Sequence, residues 1–259
     1  MATALITGAS GGIGAELAKI HARNGHNLIL AARSADRLET IKRELEGAFS
    51  IRVDVIAIDL SEPGAAHRLF ELAGGKDLQV DFLINNAGFG TFGMFAEAEI
   101  GKTEEMMRLN MEALTVLTRL VLPGMIARKS GRIMNIASTA AFQPGPLMAV
   151  YFASKAYVLR FSEAIANEVQ GSGVSITAYC PAATQTGFQT AARMEDSRLV
   201  KNRKLDSAEN VAQDAFKAMM VGKTVAIYGW INALLAWSTG LFPSAMVAKI
   251  ARWMVERKA

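Results

Sequence analysis

Seven short, nearly unbroken apolar runs punctuate the chain: Ala2 to Ile6, Asn27 to Ala32, Val53 to Ile58, Phe82 to Asn85, Arg132 to Ala137, Ser175 to Cys180 and Thr224 to Tyr228. Hydrophobicity that continues rather than alternates marks strands buried on both faces. Between the runs, Glu16 to Asn24, Ala35 to Gly47, Thr103 to Arg128, Val150 to Gln170 and Ala208 to Val221 carry the helical apolar period of about 3.6 residues. Strands alternating with helical segments predict an α/β fold, a doubly wound parallel sheet of about seven strands. With 259 residues, 51% of them hydrophobic, the chain can fill one large core. No repeat or linker divides it. The expected organisation is one domain: residues 1–229 form a dinucleotide-binding unit with a loop insertion at 184–206, and residues 230–259 form a C-terminal helical extension of the same domain.

The first strand runs directly into Thr7-Gly8-Ala9-Ser10-Gly11-Gly12-Ile13-Gly14 and then an apolar-periodic helix. A turn of this kind presents backbone N–H groups and a helix N-terminus to a pyrophosphate, and Gly12 and Gly14 let backbone and helix approach closely. A literal G-x-G-x-x-G also occurs at Gly88, Gly90 and Gly93, but no helix start follows it in register, so it is read as a decoy. The second strand ends in Ala31-Ala32-Arg33-Ser34, where an acidic residue would bind the ribose of NAD. Here Arg33 is either a bidentate partner for a 2′-phosphate, which favours NADP, or a solvated surface charge.

Of the four tyrosines only Tyr151 has a lysine, Lys155, four residues on, which puts both on one helix face. A phenol near its ordinary pKa of about 10 is a poor base, and a neighbouring ammonium is expected to draw it down. On its own the pair is equally the sign of a half-exposed helix face.

Taken together, these signals resemble the short-chain dehydrogenase/reductase family over nearly the whole chain to Tyr228. The resemblance is carried by Thr7-Gly8-x-x-x-Gly12-x-Gly14, Asp59, Asn85-Asn86-Ala87-Gly88, Asn110, Ser138 and Tyr151-x-x-x-Lys155. It implies a Rossmann-like sheet and an NADP-dependent oxidoreductase that moves a hydride between nicotinamide and a carbonyl or alcohol. It also implies roles: Tyr151 as acid/base, Lys155 as holder of the nicotinamide ribose, Ser138 as the hydroxyl orienting the substrate oxygen, and Asn110 as anchor of a relay water. Gly8, Ser10, Gly12, Ile13, Gly14 and Arg33 would bind the cofactor, joined by Asp59 and Leu60 at the adenine, and Asn86, Ala87 and Gly88 beside the ribose. Pro181 and Thr186 would lie at the nicotinamide, although Pro181 is followed by Ala182 where the family usually has glycine. The alternative is a catalytically idle NADP sensor on the same fold, against which the intact set of four polar residues argues.

Beyond these motifs the expectations are broader. Segment 184–206 corresponds to the family's substrate lid. Its Arg193, Arg198, Lys201, Arg203 and Lys204 either grip a phosphorylated carrier or form a solvated loop. Phe89, Phe92, Met94, Phe95, Phe142, Met148 and Phe188 suggest an apolar pocket, or simply core. In the last segment Met246, Ile250, Trp253 and Met254 share one helical face and Lys249, Arg252 and Glu256 another. Such a helix can close the pocket, meet another subunit or lie on a membrane surface. The three histidines lack metal-ligand spacing, so no metal is expected. The net charge of +4 is scattered, which argues against nucleic acid. A single cysteine, Cys180, no uninterrupted stretch of ~20 apolar residues and no room for a signal peptide before the first strand lead to a cytoplasmic expectation. A homo-oligomer is the expected assembly.

Overall fold

The apolar runs become strands because only a sheet covered on both sides buries every one of their side chains. In a computed structural model, which describes residues 1–77, 79–192, 194, 197–198 and 205–256, they form β1 (Thr3–Thr7), β2 (Asn27–Ala32), β3 (Val53–Ala57), β4 (Phe82–Asn85), β5 (Gly131–Ile136) and β6 (Val174–Cys180). Two-residue strands β7 (Thr184–Gln185) and β8 (Asp206–Ser207) pair with each other, and β9 (Val225–Ile227) completes the main sheet. That sheet has seven parallel strands in the order β3-β2-β1-β4-β5-β6-β9. It is the Rossmann-like architecture expected. The chain winds outward from β1 to β3, then returns to place β4 on the other side of β1. The strand order reverses there, which opens a crevice at the carboxyl ends of β1 and β4.

Alternate residues of each strand feed two cores. Ala4, Ile6, Leu28, Leu30, Met134 and Ile136 meet α1 (Gly12–Arg23), α2 (Ala35–Ala48) and a later helix, α8 (Ala208–Met220). Leu5, Ile29, Leu83, Ile133 and Ile176 pack on the opposite side. There the cover comes from α3 (Ala65–Leu72), α5 (Leu114–Ala127) and α6 (Ala149–Glu168). The short α3 was not foreseen from the periodicity.

Helix α4 (Ile100–Met107) joins α5 through a π-helical turn, Arg108–Ala113, and the whole starts three residues before the expected Thr103. By length and average composition the continuous helix Ile100–Ala127 would suffice to cross a membrane, which counting uninterrupted apolar residues did not reveal. Ala113, Leu117, Val121 and Met125 are instead buried against the sheet, as in a core helix.

The remaining helices are α7 (Phe188–Ala191), α9 (Trp230–Ser238) and α10 (Ser244–Val255). The inward face of α10 is Val247, Ala251 and Val255, all buried. Of the apolar face read from the sequence, Met246, Ile250 and Trp253 point to solvent, while Met254 lines the crevice. Arg193, Lys201, Arg203 and Lys204 lie outside the described residues. Arg198 is held rather than solvated: its Nη1 donates to the Trp253 carbonyl at 3.0 Å and its guanidinium lies 5.3 Å from that indole ring.

Candidate active site

The crevice at the strand-order reversal is a cleft of about 800 Å³. One end is the glycine turn. Gly8 has φ +65°, which L side chains resist, and an added Cβ would meet Asn86 Nδ2 at 2.8 Å. At Gly14 an added Cβ would run into the Gly8 carbonyl and Asn86 Nδ2. Turn and helix touch here because no side chain intervenes. Thr7 and Asn86 then tie the turn to β4. Thr7 Oγ1 accepts from the backbone N–H groups of Asn86 (3.0 Å) and Ala87 (3.1 Å), and Asn86 Nδ2 donates to the carbonyls of Thr7 (3.0 Å) and Gly8 (3.1 Å). A cradle held this firmly keeps its shape, as phosphate binding by backbone N–H groups requires.

Arg33 reaches the cleft from the end of β2, with Nη1 3.8 Å from Asp59 Oδ2. Burial raises the Asp59 carboxyl, but hydrogen bonds from Ser61 Oγ (2.6 Å) and Ser61 N (2.9 Å), with Arg33 nearby, hold it below its ordinary value. Arg37, in the first turn of α2, lines the same end. It was missed because only the strand end was weighed; four residues on from Arg33, at the start of the next helix, it was within reach of the same argument.

At the other end Ser138, Tyr151 and Lys155 converge. Tyr151 packs beside Phe188 and Phe152, with ring centroids 5.1 and 6.0 Å away. Lys155 is buried, its Nζ donating to the Ile136 carbonyl at 2.8 Å and lying 5.8 Å from the Tyr151 ring. Burial pulls this ammonium down to about 8, against a smaller opposite pull from Cys180. The expectation that the lysine lowers the Tyr151 pKa is corrected here. Burial pushes the phenol up to about 12, and only a hydrogen bond with Ser138 works the other way. Low-dielectric surroundings penalise the phenolate more than its neighbours favour it. Ser138 Oγ also accepts from Ala140 N at 3.1 Å, closing the turn after β5.

Gly8, Ser10, Gly12, Ile13, Arg33, Asp59, Leu60, Asn86, Ala87, Gly88, Pro181 and Thr186 all border this cleft. Gly14 and Asn110 do not. Gly14 sits beneath the turn, and Asn110, in the π-helical turn, faces the loop after β4. Its Oδ1 accepts from Phe89 N (3.1 Å), and its Nδ2 donates to Phe89 O (2.9 Å) and Ser154 Oγ (3.0 Å). The side chain fixes the loop carrying Gly88 and Phe89. The decoy glycines Gly88 to Gly93 lie in irregular backbone.

Phe89, Met148 and Phe188 line the apolar part of the cleft. Phe92 packs behind them, Phe142 lies against Trp237, and Met94 and Phe95 are exposed. The C-terminal segment adds Asn232, Leu235, Ala236, Thr239, Met254 and Val255 to the wall, which agrees with one of the three roles left open for it. Helices α9 and α10 therefore close the mouth. The donor set, a rigid backbone cradle flanked by two arginines at one end and a phenol, hydroxyl and ammonium at the other, fits an extended dinucleotide.

A family model described as short chain dehydrogenase matches residues 2–197. A very-long-chain 3-oxoacyl-CoA reductase from Pyrenophora tritici-repentis is 32% identical over 98% of this chain and 76% of its own length. Among solved structures, a short-chain dehydrogenase from Sphingobium yanoikuyae in complex with NADPH superposes with a TM-score of 0.82 at 31% identity, covering 93% of this chain and 95% of that one. A bulky-bulky ketone specific alcohol dehydrogenase from Comamonas testosteroni gives 0.79 at 30% identity, with 93% of each chain covered.

Proposed function

The chain belongs to the short-chain dehydrogenase family, and on that premise we propose that it is an NADPH-dependent reductase of bulky, apolar carbonyl compounds. The observation that carries this reading is the single cleft with Arg33 and Arg37 at one end and Ser138, Tyr151 and Lys155 at the other. Arg33 and Arg37, with no carboxylate in the stretch Ala31 to Ser34 that ends β2 and Asp59 from the end of β3 offsetting Arg33 only in part, favour a 2′-phosphate. Phe89, Met148, Phe188, Leu235 and Met254 favour an apolar substrate. The long-chain 3-oxoacyl and bulky-ketone specificities named for two relatives support the same class.

The bound cofactor supplies the hydride. Tyr151, protonated at neutral pH because burial holds its phenol at about 12, donates to the carbonyl oxygen as charge develops there. Ser138 orients that oxygen. Lys155 places positive charge near the phenolate left behind and stands ready for the ribose hydroxyls. Asn110 is a positioning residue: it acts through the backbone of Phe89.

The test is NADPH consumption by the purified protein with aromatic ketones, diketones, 3-oxoacyl thioesters and ketosteroids. Tyr151→Phe should lower turnover roughly 10²- to 10⁴-fold while leaving NADPH affinity unchanged. A variant as fast as wild type would overturn the mechanism. NADPH binding with no turnover on any substrate would favour the idle sensor.

A further inference from the structure

Trp230, Trp237 and Trp253, all three tryptophans of the chain, are 77%, 59% and 57% exposed. In the same stretch of chain, from α9 to α10, Ile231, Leu234, Leu241, Phe242, Met246 and Ile250 are exposed as well. Soluble proteins rarely leave so many large apolar side chains together in water without a use for them.

The patch belongs to a segment fastened to the body of the protein. Ala236, Val247, Ala251 and Val255 are buried beneath it. Thr239 Oγ1 donates to the Phe142 carbonyl at 2.8 Å, and Arg198 holds the far end of α10. With the inward faces of α9 and α10 already in use at the cleft, the outward faces stay largely open: among the described residues Phe142 meets one side of Trp237 and Arg198 meets Trp253, and both indoles remain more than half exposed.

Charge selects the occupant. No Asp or Glu occurs between Asp214 and Glu256, and no charged residue of either sign between Lys223 and Lys249. On α10 the flanking charges are Lys249, which has no ion-pair partner among the described residues, and Arg252, which pairs with Glu256 at 2.9 Å. A second copy docked face to face would add Lys249 to Lys249 with no free carboxylate among the described residues of α9 and α10 to meet them, since Glu256 is already paired with Arg252 and Arg198. An anionic surface meets apolar rings and Lys249, the Glu256 carboxylate being engaged by Arg252 and Arg198. Indoles beside lysine and arginine on an otherwise apolar face suit the boundary between lipid headgroups and acyl chains.

We propose that the outer face of the α9–α10 pair docks on an anionic lipid bilayer, which would hold the cleft mouth at the membrane surface. Docking stands on the patch alone and does not depend on the reductase reading.

Wild-type protein is mixed with phosphatidylcholine vesicles and with vesicles containing phosphatidylglycerol, and co-sedimentation and tryptophan emission are followed. Because every tryptophan lies in the patch, docking should shift emission to the blue. Binding should favour the anionic vesicles and weaken with salt. Leu234→Ser with Ile250→Ser, both at exposed sites outside the cleft wall, should weaken vesicle binding roughly tenfold or more, and Lys249→Glu should abolish the anionic preference. Sedimentation velocity on the same samples gives the oligomeric state. No binding by wild type, or equal binding by the Leu234/Ile250 variant, would overturn the proposal. So would an oligomer that the double variant dissociates without any vesicle binding by wild type, which would assign the patch to a second copy.

Discussion

Replacing Lys155 by methionine should leave the cofactor-free protein more stable and without activity. Lys155 is 5% exposed, and burial pulls its ammonium from 10.5 to about 8. A displacement of that size means the charged amine costs the fold about 3 kcal/mol at neutral pH. Methionine has a similar length and no charge, so the cost disappears. What is lost is the 2.8 Å hydrogen bond to the Ile136 carbonyl, worth about 1 kcal/mol. The net gain is roughly 2 kcal/mol, or about 4–8 °C in Tm for a chain of this size. The pH dependence has a definite sign. Because the folded pKa lies below the unfolded one, the lysine's relative contribution to stability is complete above 10.5 and lost as pH falls through about 8. The advantage of methionine is therefore full at about pH 7 and about 2 kcal/mol smaller at about pH 9.5. Urea unfolding of both proteins without cofactor at these two pH values measures it. A methionine variant less stable than wild type at neutral pH, or an advantage independent of pH, would refute the reasoning.

Arg33 is largely exposed, so its contact to a 2′-phosphate should lie at the lower end of charge-assisted bonds; Arg33→Ala should weaken NADPH binding about tenfold and leave NADH nearly unaffected. Adding Arg37→Ala should remove most of the remaining preference in a fluorescence titration, and an unchanged NADPH-to-NADH ratio would count against both arginines. Burial, then His26, lowers the His21 pKa from 6.5 to about 3, so its contribution to stability is complete above 6.5 and lost as pH falls toward 3. Wild type should lose about 2 kcal/mol between about pH 7 and pH 5 that His21→Gln does not lose; parallel pH profiles in denaturant would exclude this. Gly14→Ala places a methyl group against the Gly8 carbonyl, backbone that cannot turn aside, and should cost about 1–3 kcal/mol together with cofactor affinity; a variant with wild-type Tm and Kd would show that the turn yields.

The sheet was legible because its strands are buried on both faces, which leaves continuous apolar runs in the chain. Helix α3, eight residues long, spans too few turns for a period to register. Which way α10 faces was left open by the sequence for a different reason. Its largest apolar residues, Ile250 and Trp253, face water while the smaller Val247 and Ala251 are buried, the reverse of what side-chain size suggests. Motif positions led to the cleft because the turn, β4 and α6 are fixed in the chain relative to one another. Asn110 was grouped with its walls, although it acts from behind through the Phe89 backbone, a contact that spacing does not reveal; the close approach of turn and helix at Gly14, which also lies behind the wall, was legible in the motif. Sequence proximity likewise suggested that Lys155 governs Tyr151, whereas dehydration of the phenol outweighs it.

The groups proposed for proton transfer and the mouth of the cleft come from different stretches of the chain. Every motif position lies within residues 2–197, the part the family model matches, whereas Asn232, Leu235, Met254 and Val255 lie beyond it. Substitutions in α9 and α10 can thus change what enters the cleft without moving Ser138, Tyr151 or Lys155. Selection acting on that short tail alone could retarget the enzyme to new compounds, and exchanging it among relatives offers a direct route to engineered substrate range.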